Sequence, residues 1–154
     1  NAYLLIKSTT LGPTMTNNNP LLFTTTMALR WRDMDALGHV NNATYFTFME
    51  QARIDWFLEK AQLNIEEEQD GPVIVNTECT FKAALRFPDT IKIETSVTTI
   101  KTRSFDMQHT FYSSHNDKIH AIGRVTIVWI NYKKEQAITL PSRITSLFSN
   151  NTNE

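Results

Sequence analysis

The sequence predicts an α+β fold, one long helix packed on an antiparallel sheet, and three observations lead there. Residues 23–32 alternate between two faces, as a strand with one buried side does. The segment that follows carries apolar residues at helical spacing on more than one stripe, and everything from residue 73 to 132 reads as four consecutive strands with short connections.

Taken in order, residues 1–20 form a flexible lead-in, with Thr, Asn, Pro and Gly concentrated over 8–20. Asn1-Ala2 resembles the remnant of a cleaved expression tag, and Met15 is a candidate natural start. Residues 21–150 are expected to make a single domain. Its first strand spans Phe23 to Arg32, with Phe23, Thr25, Met27, Leu29 and Trp31 on one face. Asn41 or Asn42 then caps a helix, since a short amide oxygen can accept from an early unpaired N–H. That helix runs to about Ala61, with Tyr45, Phe48, Met49, Ala52 and Trp56 on one stripe and Phe46 and Phe57 widening it.

A polar segment, Glu66 to Pro72, separates the helix from strands expected at about 73–82, 89–100, 104–114 and 118–132. The last of these is apolar on both sides and should lie inside the sheet. Leu140-Pro141-Ser142 opens a short C-terminal helix, with Pro141 suited to its first position. One helix cannot cover both faces of such a sheet, so the surplus of apolar residues predicts association through the sheet, most simply as a symmetric dimer.

Composition narrows the function. Net charge is −1, with 15 Lys and Arg against 16 Asp and Glu, and no basic run exceeds Lys133-Lys134, which argues against nucleic-acid binding. No stretch is apolar enough for a membrane span. A single cysteine, Cys79, excludes an intrachain disulfide and a CxxC metal or redox pair, and points to a reducing cytoplasm. The four histidines, His39, His109, His115 and His120, lack zinc-like spacing, so no metal site is expected. There is no G-x-S-x-G elbow, phosphate loop, GxGxxG or HExxH.

What remains is Asp35-Ala36-Leu37-Gly38-His39-Val40-Asn41-Asn42, an acidic turn running straight into the helix. Locally, Asp35 reads first as a turn residue accepting backbone N–H bonds and only second as a reactive carboxylate, whereas His39 reads equally as a cap or a site residue. Asp33 and Glu50 are weaker acidic candidates. Cys79 fits a small core residue on a strand better than a nucleophile.

The stretch Arg32-Asp33-Met34-Asp35-Ala36-Leu37-Gly38-His39-Val40-Asn41-Asn42-Ala43-Thr44-Tyr45-Phe46, with Glu50-Gln51-Ala52-Arg53 after it, resembles the start of the hotdog-fold acyl-CoA thioesterases of the 4-hydroxybenzoyl-CoA thioesterase type. Phe81-Lys82 through Phe87-Pro88-Asp89-Thr90-Ile91 and Arg103-Ser104-Phe105 are similar to the same family's later passages, so the resemblance covers roughly residues 22–133. It implies a long central helix wrapped by a curved antiparallel sheet, followed here by the short C-terminal helix. Carried over by position, Asp35 matches the catalytic aspartate, as general base or nucleophile, and Asn42 the helix-start residue whose N–H faces the thioester oxygen. His39 receives a supporting role and Gly38 a geometric one.

For the substrate, the resemblance implies acyl-CoA, with Arg103 the first choice for meeting the phosphates, then Lys101, Lys82 and Arg86. Tyr45, Phe48 and Met49 are candidates for the acyl tunnel. His39-Val40-Asn41-Asn42 resembles the fatty-acyl branch, which favours medium- or long-chain groups, with aromatic acyl groups kept open. No cofactor is expected, coenzyme A being part of the substrate. Acyl carrier protein is an alternative carrier, and a homodimer or homotetramer the expected assembly. Two rivals stand beside this reading: a hotdog enoyl hydratase or dehydratase using His39 with Glu50, and a non-catalytic acyl-thioester-binding protein.

Overall fold

A computed structural model describes residues 19–64, 66 and 68–149. The expected lead-in over 1–20, its tag remnant and Met15 therefore lie outside the described residues, apart from Asn19 and Pro20.

The first strand, β1 (Leu21–Ala28), is shorter than its alternating pattern suggests. The alternation continues through Arg32, yet the chain turns into a 3-10 segment, Trp31–Asp33, because Asp33 reaches back. Its carboxylate accepts the Arg30 N–H at 2.7 Å and the Arg30 guanidinium at 2.9 Å. Burial alone would raise the Asp33 carboxyl; the Arg30 hydrogen bonds, with the charges of Arg30 and Arg32, carry it below the usual carboxylate range. Asp33 is thus a buried structural acid, and the weaker catalytic reading of it falls away.

Helix α1 (Asn42–Glu59) starts where the amides predicted, with Asn41 as the cap: its Oδ1 accepts from Ala43 N–H at 2.9 Å. The strands β2 (Asp70–Phe81), β3 (Thr90–Ile100), β4 (Ser104–Ser113) and β5 (Ile119–Asn131) follow. A two-residue β6 (Gln136–Ala137) and a C-terminal helix α2 (Ser142–Ser149) complete the described chain. β2 begins three residues earlier than expected, since Asp70 pairs with Asn131 and its carboxylate accepts from the Trp129 indole. Pro72 is tolerated there because β2 is an edge strand. Pro141 precedes α2, and its carbonyl accepts from Ile144 and Thr145.

The sheet is antiparallel throughout, in the order β1-β3-β4-β5-β2, with β6 on β5. β5 lies between β4 and β2, as its two apolar sides required. One long helix against a curved antiparallel sheet is the hotdog arrangement.

Two apolar clusters fill the space under α1. One gathers Trp56, Phe57, Phe105, Met107 and Trp129 with Ile144 and Phe148 of α2. The other gathers Tyr45, Phe48, Met49, Ile93 and Phe111. Between them the layer is polar. Thr95 lies between Ile93 and Val97 on β3, His109 between Met107 and Phe111 on β4, and Gly123 between Ala121 and Val125 on β5. α1 runs close over this seam, and a Cβ at Gly123 would overlap Met49 Sδ. No helix among the described residues is long and apolar enough to cross a membrane.

Candidate active site

The Asp35 loop is built from its own backbone. The Asp35 N–H donates to His39 C=O at 2.7 Å, Asn41 N–H to Asp33 C=O at 2.9 Å, and Met34 bridges Val40. Residues 33–35 therefore run antiparallel to 39–41, with Asp33 opposite the cap Asn41 and Asp35 opposite His39 on the loop that leads into α1. Gly38 closes the turn by donating to Asp35 C=O at 3.1 Å, with φ +74. The space around it is open, so backbone conformation is what favours glycine there.

Within this loop the two readings of Asp35 coexist. Its Oδ1 accepts from Leu37 N–H at 2.8 Å and His39 N–H at 3.3 Å, the turn role. No described residue engages Oδ2. At the helix start, Asn41 takes up the N–H groups of Ala43 and Thr44. The Asn42 N–H, one of the first-turn donors that has no partner within the helix, meets no acceptor among the described residues. A half-buried carboxylate with one committed oxygen and an open helix N-terminus, which favours developing negative charge, thus belong to one short loop-to-helix segment.

Arg86 joins this loop from the β2–β3 connection. Val40 N–H donates to Leu85 C=O at 2.9 Å and Phe87 N–H to Met34 Sδ, so residues 85–87 lie along the loop. The Arg86 guanidinium meets His39 Nε2 at 2.8 Å. A guanidinium only donates, so His39 Nε2 accepts and the ring proton sits on Nδ1. The connection is braced in turn by His120, which receives the N–H groups of Lys82 and Ala83 on its carbonyl and contacts Ala84 C=O through its ring.

Other predicted site residues are elsewhere. Arg103 and Lys101 belong to the β3–β4 turn, and β3, eleven residues long, separates that turn from the Asp35 end by roughly 33 Å. Within one protomer they are not brought to Asp35. Tyr45 is core, its ring edge-on to Phe81 at 5.0 Å and Phe111 at 5.4 Å, and Phe48 and Met49 are buried with it. Glu50 lies about 12 Å along the helix axis from Asn42, and His39 is held by Arg86, so no His39–Glu50 pair forms in the protomer. Cys79 is half-buried, and burial pushes its thiol up to about 11, which suits a packing role.

The apolar groove lies on another side of α1, along the open edge of β2. Two adjoining cavities of about 430 and 300 Å³ share Glu50, Arg53 and Ile74. Phe46 and Thr47 line one end, and Phe57, Leu63 and Tyr132 the other. Sequence periodicity could not find it. The period assigns Phe46 and Phe57 to a widened buried stripe, whereas both line the groove. No group of three or more His, Cys, Asp or Glu placed to hold a metal occurs among the described residues.

The model of the thioesterase-like superfamily matches residues 29–148, which include the Asp35 loop, α1 and the whole sheet from β2 onward. The chain belongs to this superfamily. As a member of it, the protein is a thioester hydrolase. No curated protein matches its sequence. Solved structures do. PA2801 of Pseudomonas aeruginosa, inferred to be a thioesterase, is 29% identical, with 82% of this chain and 97% of that one covered and a TM-score of 0.78. A Xanthomonas campestris protein inferred to be an acyl-CoA thioesterase is 30% identical over 78% of this thioesterase and 99% of its own chain, with a TM-score of 0.69. The gentisyl-coenzyme A thioesterase BH1999 is 29% identical, covers 82% and 99%, and has a TM-score of 0.72.

Proposed function

We propose that this thioesterase hydrolyses acyl-CoA to free acid and coenzyme A in the cytoplasm, acting on medium- or long-chain fatty acyl or on aromatic acyl groups. The observation that carries the proposal is the pairing of Asp35, one carboxylate oxygen committed and the other open, with the unengaged Asn42 N–H. In the base reading, Asp35 Oδ2 takes a proton from water as the hydroxyl adds to the thioester carbonyl. The oxyanion forms against the Asn42 N–H, and the C–S bond then breaks to release the thiol, which regains the proton. In the nucleophile reading, Oδ2 adds first, the C–S bond breaks to expel the thiolate, and water then opens the mixed anhydride to the free acid and the Asp35 carboxylate, its released proton ending on the thiol. An oxyanion donor of this kind is commonly worth about 100- to 1000-fold in rate.

The apolar groove beside α1 supports an acyl substrate, since its walls start one turn into the helix. Arg86, exposed and already beside His39, supplies a basic group for the phosphates within the protomer. Arg103 and Lys101 would serve from a second subunit. The outer sheet face is largely polar, with Lys92, Glu94, Gln108 and Arg124 on it, so the dimer is assigned to the β2 edge, where Ile74 and Val75 are exposed. A dimer of such dimers gives the homotetramer. Acyl carrier protein is the alternative carrier.

The test offers the protein saturated acyl-CoAs of graded length, benzoyl-CoA and an enoyl-CoA, following thiol release and hydration separately. Thiol release from the saturated or aromatic thioesters is expected. Hydration without thiol release would overturn the proposal in favour of a hydratase, and binding without either reaction in favour of an acyl-binding protein.

A further inference from the structure

Arg53 does not match its surroundings. Its side chain lines both cavities of the groove, yet the residue is only 8% exposed and its Nη1 is buried without an acceptor among the described residues. Burial lowers its pKa, and Glu50, one turn back on α1, opposes this only partly. Beneath α1, His109 is fully buried; its Nδ1 contacts Thr95 Oγ1 at 2.9 Å, and its Nε2 has no partner among the described residues. The two groups interact electrostatically, since the Arg53 charge helps to hold His109 neutral. A buried unmatched donor costs about 1–3 kcal/mol, more when charged, so such a group calls for an explanation, often an absent partner.

We propose that Arg53 is a specificity-determining residue of the acyl groove, donating from its guanidinium to an uncharged oxygen, a hydroxyl or keto group, carried along the acyl chain. This deepens the thioesterase reading and rests on it. The oxygen is uncharged because the groove walls already carry two carboxylates, Glu50 one turn back from Arg53 and Glu68, which is held by Arg143 at 2.8 Å. A carboxylate would bring unmatched negative charge between Phe57, Leu63 and Ile74. The place along the chain follows from helix geometry. Arg53 lies eleven residues beyond Asn42, about 16 Å of axis; side chains lean back by about one turn, leaving roughly 11 Å between thioester and guanidinium. That is near the length of a decanoyl chain.

Calorimetry with non-hydrolysable thioether analogues tests this on the whole protein. The ligands are decanoyl-CoA analogues without an oxygen, with a hydroxyl at each carbon from mid-chain to the end, and with a terminal carboxylate. At least one hydroxyl position should bind about 10- to 100-fold more tightly than the plain chain, the range of a charge-assisted hydrogen bond. Arg53→Met should abolish that preference, so that hydroxylated and plain chains bind alike, and Arg53→Lys should restore part of it. Equal binding at every position, tightest binding of the carboxylate, or a preference that survives Arg53→Met would each overturn the assignment. If Arg53→Met does not fold, the wild-type preference decides alone. Thiol release from the matching thioesters, measured in parallel, tests the thioesterase reading separately.

Discussion

Replacing Asp35 with asparagine separates the chemistry of this carboxylate from its work in the loop. Asparagine keeps a carbonyl oxygen where Oδ1 accepts from Leu37 N–H at 2.8 Å and His39 N–H at 3.3 Å, so the turn into α1 survives. It replaces Oδ2, the oxygen no described residue engages, with an amide nitrogen that cannot take a proton. The expected loss is that of a general base, about 100- to 10,000-fold in kcat. At 1.36 kcal/mol per tenfold this is roughly 3–5.5 kcal/mol of barrier. Because both hydrogen bonds persist, stability should change by less than about 1 kcal/mol, a Tm shift under about 4 °C. Asp35→Ala, which loses both bonds, should cost about 1–2 kcal/mol in addition to the activity. The assay pairs thiol release from acyl-CoA with a thermal melt of each variant. Turnover of Asp35→Asn within threefold of wild type would refute the chemical role and leave Asp35 as a turn residue only.

Two further predictions concern the seam beneath α1. Burial, with the Arg53 charge adding to it, pushes His109 down to about 3. Between roughly pH 6.5 and 3 the unfolded chain therefore binds a proton that the folded chain refuses, and stability falls as pH falls, by up to about 1.4 kcal/mol per pH unit. Urea midpoints across that range should show the slope in wild type and lose this contribution in His109→Gln. At Gly123, an added methyl must displace the sulfur of Met49, which is fully buried. Gly123→Ala should destabilise by about 1–3 kcal/mol in urea unfolding, and shortening Met49 to valine in the double variant should recover part of the loss.

Much of the fold was legible because burial follows backbone period. The enclosed stripe of α1, the alternating β3 and β4 and the two-sided β5 could each be read from residue order. Where reading failed, a side chain had overruled the period: Asp33 bonding back to Arg30 ended β1 early, and Asp70 extended β2 through a polar run. β6, two residues long, carries too little pattern to see.

The site divided in the same way. Asp35, Gly38 and Asn42 belong to one short stretch of chain, so residue order alone was enough to single it out as the candidate site, and sequence by itself pointed to the family. Tertiary structure decided everything that depends on which distant residues meet. It brought Arg86 to His39 across 47 positions of chain and sent Arg103 to the far end of the sheet. It turned Tyr45 into the core and opened the groove along β2, with Arg53 between its two cavities. Periodicity reports whether a side chain is covered; only the packed sheet and helix determine what covers it, and whether a buried charge finds a partner.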